Sequence, residues 1–359
     1  TKTKFKMKAV AHRIRRAFVR CYFGTMPNNK AMSTRSNVYT NIPLTSDQLA
    51  RPAGIASMFR MPIQNDARDL DACFVGVPFD AGTSYRPGSR LGPRQIRHES
   101  VYIRHHNLAT GAAPYESLRV ADCGDINMNI YHIQKAMIDI RNRISQLISS
   151  GCKPIAMGGD HTISYPILQA IKEKYGAVGL IHVDAHDDTA PSMGGEEIAH
   201  GTPFYCATED GCLDTKRVIQ IGLRGTGYGP HEYDYGKIKG FRIVPADECW
   251  HKSLTPLMAE VREMMGNKPV YLSFDIDAID PGFAPGTGIP EIGGLTPIQS
   301  LEIIRGCRGL NIVGCDLVEV SPPLDQSGRT ALLAANLIFE MLCVLPGVVY
   351  KKRVMDSTQ

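Results

Sequence analysis

From Ala72 onward, short apolar strands alternate with amphipathic helical segments, and this alternation limits the chain to a small set of folds. The helix-like stretches include 133–149, 165–175, 255–265 and 296–305, and the strand-like runs are 72–77, 118–122, 154–159, 177–184, 217–223, 241–246, 269–275 and 311–319. The strands are apolar on both faces, which is typical of parallel strands covered by helices. We therefore predict an α/β fold with three layers, α/β/α, around a mainly parallel central sheet of about eight strands.

The rest of the 359-residue chain divides around this pattern. Residues 40–71 are rich in Pro, Gly, Asn and Gln and are predicted to form an extended arm that leads into the domain. No linker is long or polar enough to split the alternating region into two domains. We expect an N-terminal segment at 1–46, one domain at 47–350 and a C-terminal tail at 351–359.

The segment 1–46 is basic and contains no acidic residue, although the whole chain is nearly balanced, with 40 basic and 36 acidic residues. Apolar residues recur in it at helical spacing, at Val10, Ile14, Phe18 and Tyr22. That composition is typical of a mitochondrial transit peptide and predicts the mitochondrial matrix as the destination. A disordered basic tail that contacts nucleic acid or anionic lipid is the alternative. For the domain itself we predict neither a nucleic-acid nor a membrane partner.

The ten cysteines include no CxxC pair, and several lie inside apolar runs. Buried free thiols in a reducing compartment are therefore predicted rather than disulfides or a zinc site. The longest apolar segment, 331–349, carries Asn336, Glu340 and Pro346. These residues favour a buried helix over a membrane span.

Three strands are followed by residues that can bind a metal ion. His161 follows one strand in the run GGDHT, a second strand ends in DAHDD with Asp184, His186 and Asp188, and a third ends with Asp275 and Asp277. In an extended chain residues two apart point to the same side, so these side chains are expected to converge. In open α/β sheets the ligand binds at the carboxyl ends of the strands.

The residue types in this set predict a binuclear site for divalent cations. Asp275 and Asp277 cannot both be stable as buried anions without a cation, because burying unpaired charge is costly. Four carboxylates, two imidazoles and no thiolate are too many ligands for one Zn²⁺ and suit two harder ions, Mn²⁺ first. A polar turn facing water remains an alternative for DAHDD alone. A calcium loop is disfavoured by the two histidines.

Together these motifs resemble those of the ureohydrolases, the arginase and agmatinase family. The resemblance covers about residues 45–350 and rests on GGDHT, DAHDD, HGTP at 200–203, SFDIDAIDP followed by PGTG at 285–288, and DLVEVSPP at 316–323. The run at 78–97 and the DLVEVSPP ending look most similar to the animal mitochondrial agmatinases, also described as guanidino acid hydrolases. The resemblance implies an arginase-like fold and a homo-oligomer, a trimer or hexamer.

The resemblance also implies which residues hold two Mn²⁺ ions per subunit. One ion would be bound by His161, Asp184, Asp188 and Asp275, and the other by His186, Asp184, Asp275 and Asp277, so that Asp184 and Asp275 bridge. Glu319 would pair with the substrate guanidinium, Asp188 would relay a proton to the departing nitrogen, and His200 would exchange protons with solvent.

This chain differs from the family pattern at three positions. Asp187 occupies a position where relatives usually carry a small hydroxyl residue. Tyr205 and Cys206 follow Phe204 where relatives commonly carry two arginines. The loss of two positive charges near the site's rim favours an amine-tailed substrate over a carboxylate-tailed one. Arginine is disfavoured because the loop at 189–201 lacks the residues with which arginases hold the amino-acid head.

We therefore predict a manganese-dependent enzyme that hydrolyses a small guanidino compound to urea and an amine, with agmatine to putrescine as the lead reaction. The first alternative is a guanidino acid hydrolase acting on 4-guanidinobutanoate or 3-guanidinopropanoate. The second is a catalytically silent relative that keeps the fold as a binding protein. Silence would be signalled by the loss of a metal ligand, His200 or Glu319, and none is lost.

Overall fold

The computed structural model describes residues 41–351 and places eight strands in one sheet. Every neighbouring pair is parallel, and the strand order is β2-β1-β3-β8-β7-β4-β5-β6. The strands are β1 Ala72–Val77, β2 Val120–Asp125, β3 Lys153–Gly158, β4 Val178–Val183, β5 Leu213–Leu223, β6 Arg242–Pro245, β7 Pro269–Asp275 and β8 Asn311–Val318. The predicted fold class is confirmed.

Helices connect these strands and cover both faces of the sheet. Within the described residues they are α1 Gly92–Ser100, α2 Pro114–Ser117, α3 Ile133–Ser149, α4 Ser164–Tyr175, α5 Pro203–Glu209, α6 Asp234–Lys239, α7 Ala246–Cys249, α8 Thr255–Met265, α9 Pro297–Gly306 and α10 Arg329–Val344. The predicted helices at 133–149 and 255–265 have the bounds of α3 and α8. The buried helix expected at 331–349 is α10, which ends two residues before Pro346.

Two hydrophobic cores lie on opposite faces of the sheet. In β1, Phe74 contributes to the core under α1, α8, α9 and α10, whereas its neighbours Cys73 and Val75 contribute to the core under α3, α4 and α5. Successive side chains of a strand point to opposite faces, so a strand covered on both sides is apolar throughout. This explains why the strands lack a polar alternation in the sequence.

The predictions for cysteines and membrane segments can be compared with the described residues. All nine cysteines within 41–351 are free thiols, and eight of them are buried. No helix in that range is long and apolar enough to span a bilayer. Cys21, most of the segment 1–46 and most of the tail lie outside the described residues, and the domain boundaries stay predictions.

The strand order brings the three metal-binding motifs together. The strands β3, β8, β7 and β4 are consecutive neighbours in the sheet, and their carboxyl ends point to the same edge. His161 follows β3, Glu319 follows β8, and the two aspartate motifs stand at the ends of β7 and β4. Segments that are up to 158 positions apart in sequence therefore form one site, as the hydrogen bond from the His161 backbone amide to the Glu319 carboxylate demonstrates.

Candidate metal centre

Two histidines and four aspartates meet at this edge of the sheet. The Nδ1 atom of His161 lies 2.9 Å from Asp188 Oδ2, 3.0 Å from Asp184 Oδ2 and 3.2 Å from Asp275 Oδ2. The Nδ1 atom of His186 lies 3.1 Å from Asp277 Oδ2 and 3.6 Å from Asp184 Oδ1. Asp184 thus turns one oxygen toward each histidine. All six predicted ligands are brought together.

The way in which they converge differs from the expected strand pleat. β4 ends at Val183, and the following residues form a turn in which the His186 amide donates to Asp184 Oδ1 over 2.7 Å. Asp188 takes a left-handed backbone conformation with φ 50°. Asp277 lies in a short 3-10 turn, and its backbone amide donates to Asp275 Oδ1 over 2.8 Å. An aspartate whose carboxylate accepts a hydrogen bond from the backbone amide two residues later forms a tight turn. Here these turns point the side chains toward the cluster.

The protonation pattern around His161 fits a cation in the site. The Ser273 hydroxyl donates to Asp316 Oδ1 over 2.6 Å, so its oxygen accepts the proton of His161 Nε2, which lies 2.8 Å away. His161 Nδ1 is buried and makes no hydrogen bond of acceptable geometry among the described residues, although three carboxylate oxygens lie within 3.2 Å of it. A bare lone pair facing three carboxylates is repulsive unless a cation lies between them. The donor set suits a divalent ion bound by imidazole and carboxylate.

The charges of the cluster support the same conclusion. Burial, followed by the neighbouring Asp277 and Asp184 carboxylates, raises the pKa of Asp275 well above its usual value. Burial also raises the pKa of Asp184, but three surrounding histidines outweigh it and hold that pKa well below its usual value. Asp275 is thus unstable as an anion without further positive charge, and a bound cation would supply that charge.

Glu319 and His200 border the cluster. Glu319 Oε1 accepts the His161 backbone amide over 3.0 Å and lies 3.4 Å from His200 Nδ1. Burial lowers the pKa of His200, but the Glu319 carboxylate outweighs it and raises the value to about 9. Glu319 is almost fully buried and adopts φ 62°. Such a conformation costs about 1 kcal/mol or more for a residue with a side chain, and such costs concentrate at functional sites.

His182, which contacts the cluster, and Gln220, which contacts His182, were not identified from the sequence. His182 is fully buried in β4 and lies 2.7 Å from Asp184 Oδ2 through Nε2. Its Nδ1 atom is 3.0 Å from the side-chain amide nitrogen of Gln220, which also donates to the Asp187 carbonyl over 2.7 Å. Both ring nitrogens of His182 are therefore occupied, unlike Nδ1 of His161. The two-residue period of the strand, with His182 two positions before Asp184, was the available signal.

Asp187 lies beside the cluster rather than in it. Its carboxylate accepts a hydrogen bond from the Thr189 hydroxyl, and burial raises its pKa to about 6. Burial and then the charges of Asp187, Glu232 and Glu291 also raise the pKa of Tyr233, a half-buried residue near His186. Several carboxylates therefore lie near Tyr233 on this side of the cluster.

Comparison with known proteins agrees with the geometry. The Arginase family matches residues 70–343. The chain is 61% identical over 308 residues to a protein of Gallus gallus named "Agmatinase, mitochondrial", covering 86% of this chain and 91% of that protein. It is 56% identical over 322 residues to the Homo sapiens "Guanidino acid hydrolase, mitochondrial", covering 90% and 92% respectively.

A solved structure extends the similarity to the fold. The proclavaminate amidino hydrolase from Streptomyces clavuligerus has a TM-score of 0.78 and 36% identity, over 82% of this chain and 99% of that one. Both the family match and the relatives span the strand ends that carry the histidines and aspartates described above. This chain therefore belongs to the arginase family of ureohydrolases.

Proposed function

We propose that this protein is a manganese-dependent hydrolase that cleaves a small guanidino compound to urea and an amine. The arginase family depends on a binuclear metal centre. The observation that carries the proposal is the His161 imidazole, whose unpartnered Nδ1 faces three carboxylates within 3.2 Å. A buried arrangement of this kind needs a cation, and the donor types favour Mn²⁺ over Zn²⁺.

The ligand sets are those that the family resemblance implies. The distances between the side chains support them, except that the assignment of Asp275 to the second ion rests on the resemblance alone. His161, Asp184, Asp188 and Asp275 would hold one ion, and His186, Asp184, Asp275 and Asp277 would hold the other. When bound, divalent cations of this kind supply a nucleophile at neutral pH by lowering the pKa of water. The bridging role of Asp184 is supported by its two oxygens, which face different histidines.

The neighbouring residues are arranged to bind and orient a guanidinium group. Glu319 is a buried carboxylate whose Oε1 faces the His161 amide and His200, so its second oxygen, Oε2, is the one available for a planar cation. Pairing of this geometry fixes both position and orientation. Asp188 would transfer a proton from the attacking water to the departing nitrogen. His200, whose ring touches both Glu319 and Ser84, would exchange protons with solvent.

Agmatine is the lead substrate because of the carboxylates near Tyr233. Asp187, Glu232 and Glu291 act together on Tyr233, and a cationic tail would be attracted there while a carboxylate tail would be repelled. Tyr205 and Cys206 add no compensating positive charge: the Tyr205 ring packs against Tyr235 at 4.9 Å between centroids. The guanidino acid reaction is the second candidate, and the similarity to the human guanidino acid hydrolase favours it.

A substrate panel tests the activity and separates the two candidates. The full chain loaded with Mn²⁺ would be assayed for urea release from agmatine, 4-guanidinobutanoate, 3-guanidinopropanoate and arginine. We expect urea from agmatine with the highest kcat/KM. A higher kcat/KM for either guanidino acid would refute the amine-tail assignment. A protein that binds metal and releases no urea from any of the four would be a silent relative.

The ligand assignment is tested by Asp277→Ala. Asp277 lies 3.1 Å from His186 and is assigned to only one of the two ions, so we expect the variant to bind one Mn²⁺ and to lose nearly all turnover. Asp247→Ala changes an exposed aspartate in α7 and serves as the control, with two ions and normal turnover expected. Full activity in Asp277→Ala would show that the assigned ligand set is incorrect.

Location and assembly are further parts of the proposal. The chicken and human relatives are named as mitochondrial proteins, and the basic segment 1–46 supports the same destination, in the matrix. Fusing residues 1–46 to a fluorescent reporter tests targeting, and a diffuse cytosolic signal would contradict it. A homo-oligomer, trimer or hexamer, is expected from the family resemblance, and light scattering of the purified protein measures it.

A further inference from the structure

Asp316 is a buried carboxylate for which the catalytic proposal has no role. It lies in β8, three positions before Glu319, and is fully buried. Its hydrogen-bond partners among residues 41–351 are three hydroxyl groups: Ser164 at 2.6 Å and Tyr271 at 2.7 Å on Oδ2, and Ser273 at 2.6 Å on Oδ1. A buried carboxylate is costly unless it is hydrogen-bonded, and three O–H donors meet that requirement. Asp316 is the acceptor in all three contacts.

Asp316 sets the direction of the Ser273 proton. Each hydroxyl has a single proton, and Ser273 donates its proton to Asp316 Oδ1. The Ser273 oxygen is then left with lone pairs, and it accepts from His161 Nε2 over 2.8 Å. When His161 is neutral, as binding of a metal ion through Nδ1 requires, its proton is thereby held on Nε2. Its Nδ1 lone pair faces Asp184, Asp188 and Asp275.

We propose that Asp316 and Ser273 form a positioning relay that fixes the tautomer and orientation of His161 and thereby sets the affinity of the metal position next to it. Neither residue touches the reacting atoms. The inference rests on the metal centre of the proposed function. Groups that orient a metal-binding imidazole typically contribute 10- to 100-fold in metal affinity.

The relay acts on one side of the cluster. His186 has no equivalent support, because its Nε2 atom is buried without a hydrogen-bond partner among the described residues. Its ring is also more accessible, with 31% of the side chain exposed against 1% for His161. Loss of the relay is therefore expected to weaken the metal position beside His161 and to leave the one beside His186 unchanged.

Two substitutions disturb the relay to different degrees. Ser273→Ala removes the acceptor of the Nε2 proton, so both tautomers of His161 become accessible. Asp316→Asn goes further, because its amide nitrogen can donate to Ser273 and turn the hydroxyl proton toward His161. That reversal favours a proton on Nδ1, where it blocks the lone pair. Ser164→Ala is the matched control, since it removes a buried hydroxyl from the same carboxylate without touching His161.

The experiment measures Mn²⁺ binding to the full-length variants by equilibrium dialysis, together with ¹⁵N spectra of the histidine rings in the metal-free proteins. We expect wild type and Ser164→Ala to bind two ions alike. Ser273→Ala should weaken one ion 10- to 100-fold, and Asp316→Asn should weaken the same ion further and shift the His161 signal to the Nδ1–H tautomer. If Asp316→Asn fails to fold, Ser273→Ala decides alone.

Three outcomes would overturn the relay: unchanged affinity in Ser273→Ala, equal weakening of both ions, or the same loss in Ser164→Ala. Urea release by the wild type is measured in parallel. A wild type that binds two ions and releases no urea would refute the proposed activity, while the relay would still be judged by the affinities.

Discussion

A single methyl group at Gly159 is expected to disrupt the metal centre. Gly159 joins β3 to the His161 turn, and its carbonyl accepts the Glu319 amide over 2.9 Å. A Cβ at this position would lie 2.7 Å from the carbonyl carbon of Phe79 and closer still to its oxygen. An ordinary carbon–carbon contact is about 3.5 Å, so the two backbone segments must separate by at least about 0.8 Å.

Gly159→Ala should therefore reduce both stability and activity. Overpacking at a backbone–backbone contact is expected to lower the free energy of unfolding by at least about 2 kcal/mol. A misplacement near 1 Å costs about 100-fold in turnover, because His161 and Glu319 both depend on this segment. Urea denaturation, Mn²⁺ stoichiometry and urea release measure these effects. Gly229→Ala is the control, since no atom lies within 4 Å of its Cβ position, and a change within about 0.5 kcal/mol is expected there. Wild-type stability with full metal content and turnover in Gly159→Ala would refute the reasoning.

Three other substitutions test individual contacts. Burial raises the pKa of Asp325, but hydrogen bonds, including one from the Thr330 amide, outweigh it and lower the pKa to about 2. Its charge therefore stabilises the fold above the usual value of 3.8, and this contribution disappears as the pH falls through about 2. Asp325→Asn should thus be less stable by about 1 kcal/mol at pH 7, and urea midpoints of the two proteins should converge between pH 4 and 2. A constant difference across that range would contradict the assignment. Gln220→Ala leaves His182 Nδ1 buried without its hydrogen-bond donor, so the free energy of unfolding should fall by about 1–3 kcal/mol in the same assay. An unchanged urea midpoint would contradict this prediction. Arg224→Met removes a guanidinium that donates to five backbone carbonyls, including that of Asp277. We expect the free energy of unfolding, extrapolated from urea denaturation, to fall by about 3 kcal/mol. A loss below about 0.5 kcal/mol would show that those carbonyls find other partners.

The fold could be predicted because its determinants are local. Each strand is a short run of mainly apolar residues, and the bounds predicted for 72–77 and 269–275 match β1 and β7. The largest difference between a predicted and an observed strand end is at the start of β5, which begins at Leu213 rather than at 217. Its first residues, Leu213 to Lys216, are partly polar, and their pairing with β4 beyond a register shift is a long-range contact that local hydrophobicity does not report.

The metal cluster was also predictable in its residue types, although not in its geometry. Carboxylates and imidazoles at three strand ends indicated a shared cation, because several buried anions require one. The pleat of an extended strand was the wrong reason for their convergence. Asp188 and Asp277 reach the cluster through turns, and the turns depend on backbone amides that bond to Asp184 and Asp275.

What the sequence by itself determined is therefore the alternation that builds a parallel sheet and the chemical nature of the ligands at its edge. Only the tertiary structure decided how those ligands are supported. His161 depends on Ser273 and Asp316 from two other strands, and His182 depends on Gln220 from a third. Each of these hydrogen bonds joins residues at least 38 positions apart, so no local period or spacing contains it. The physical reason is that a buried polar group can donate a hydrogen bond only to an acceptor that lies next to it. The strand order determines which residues lie next to each other.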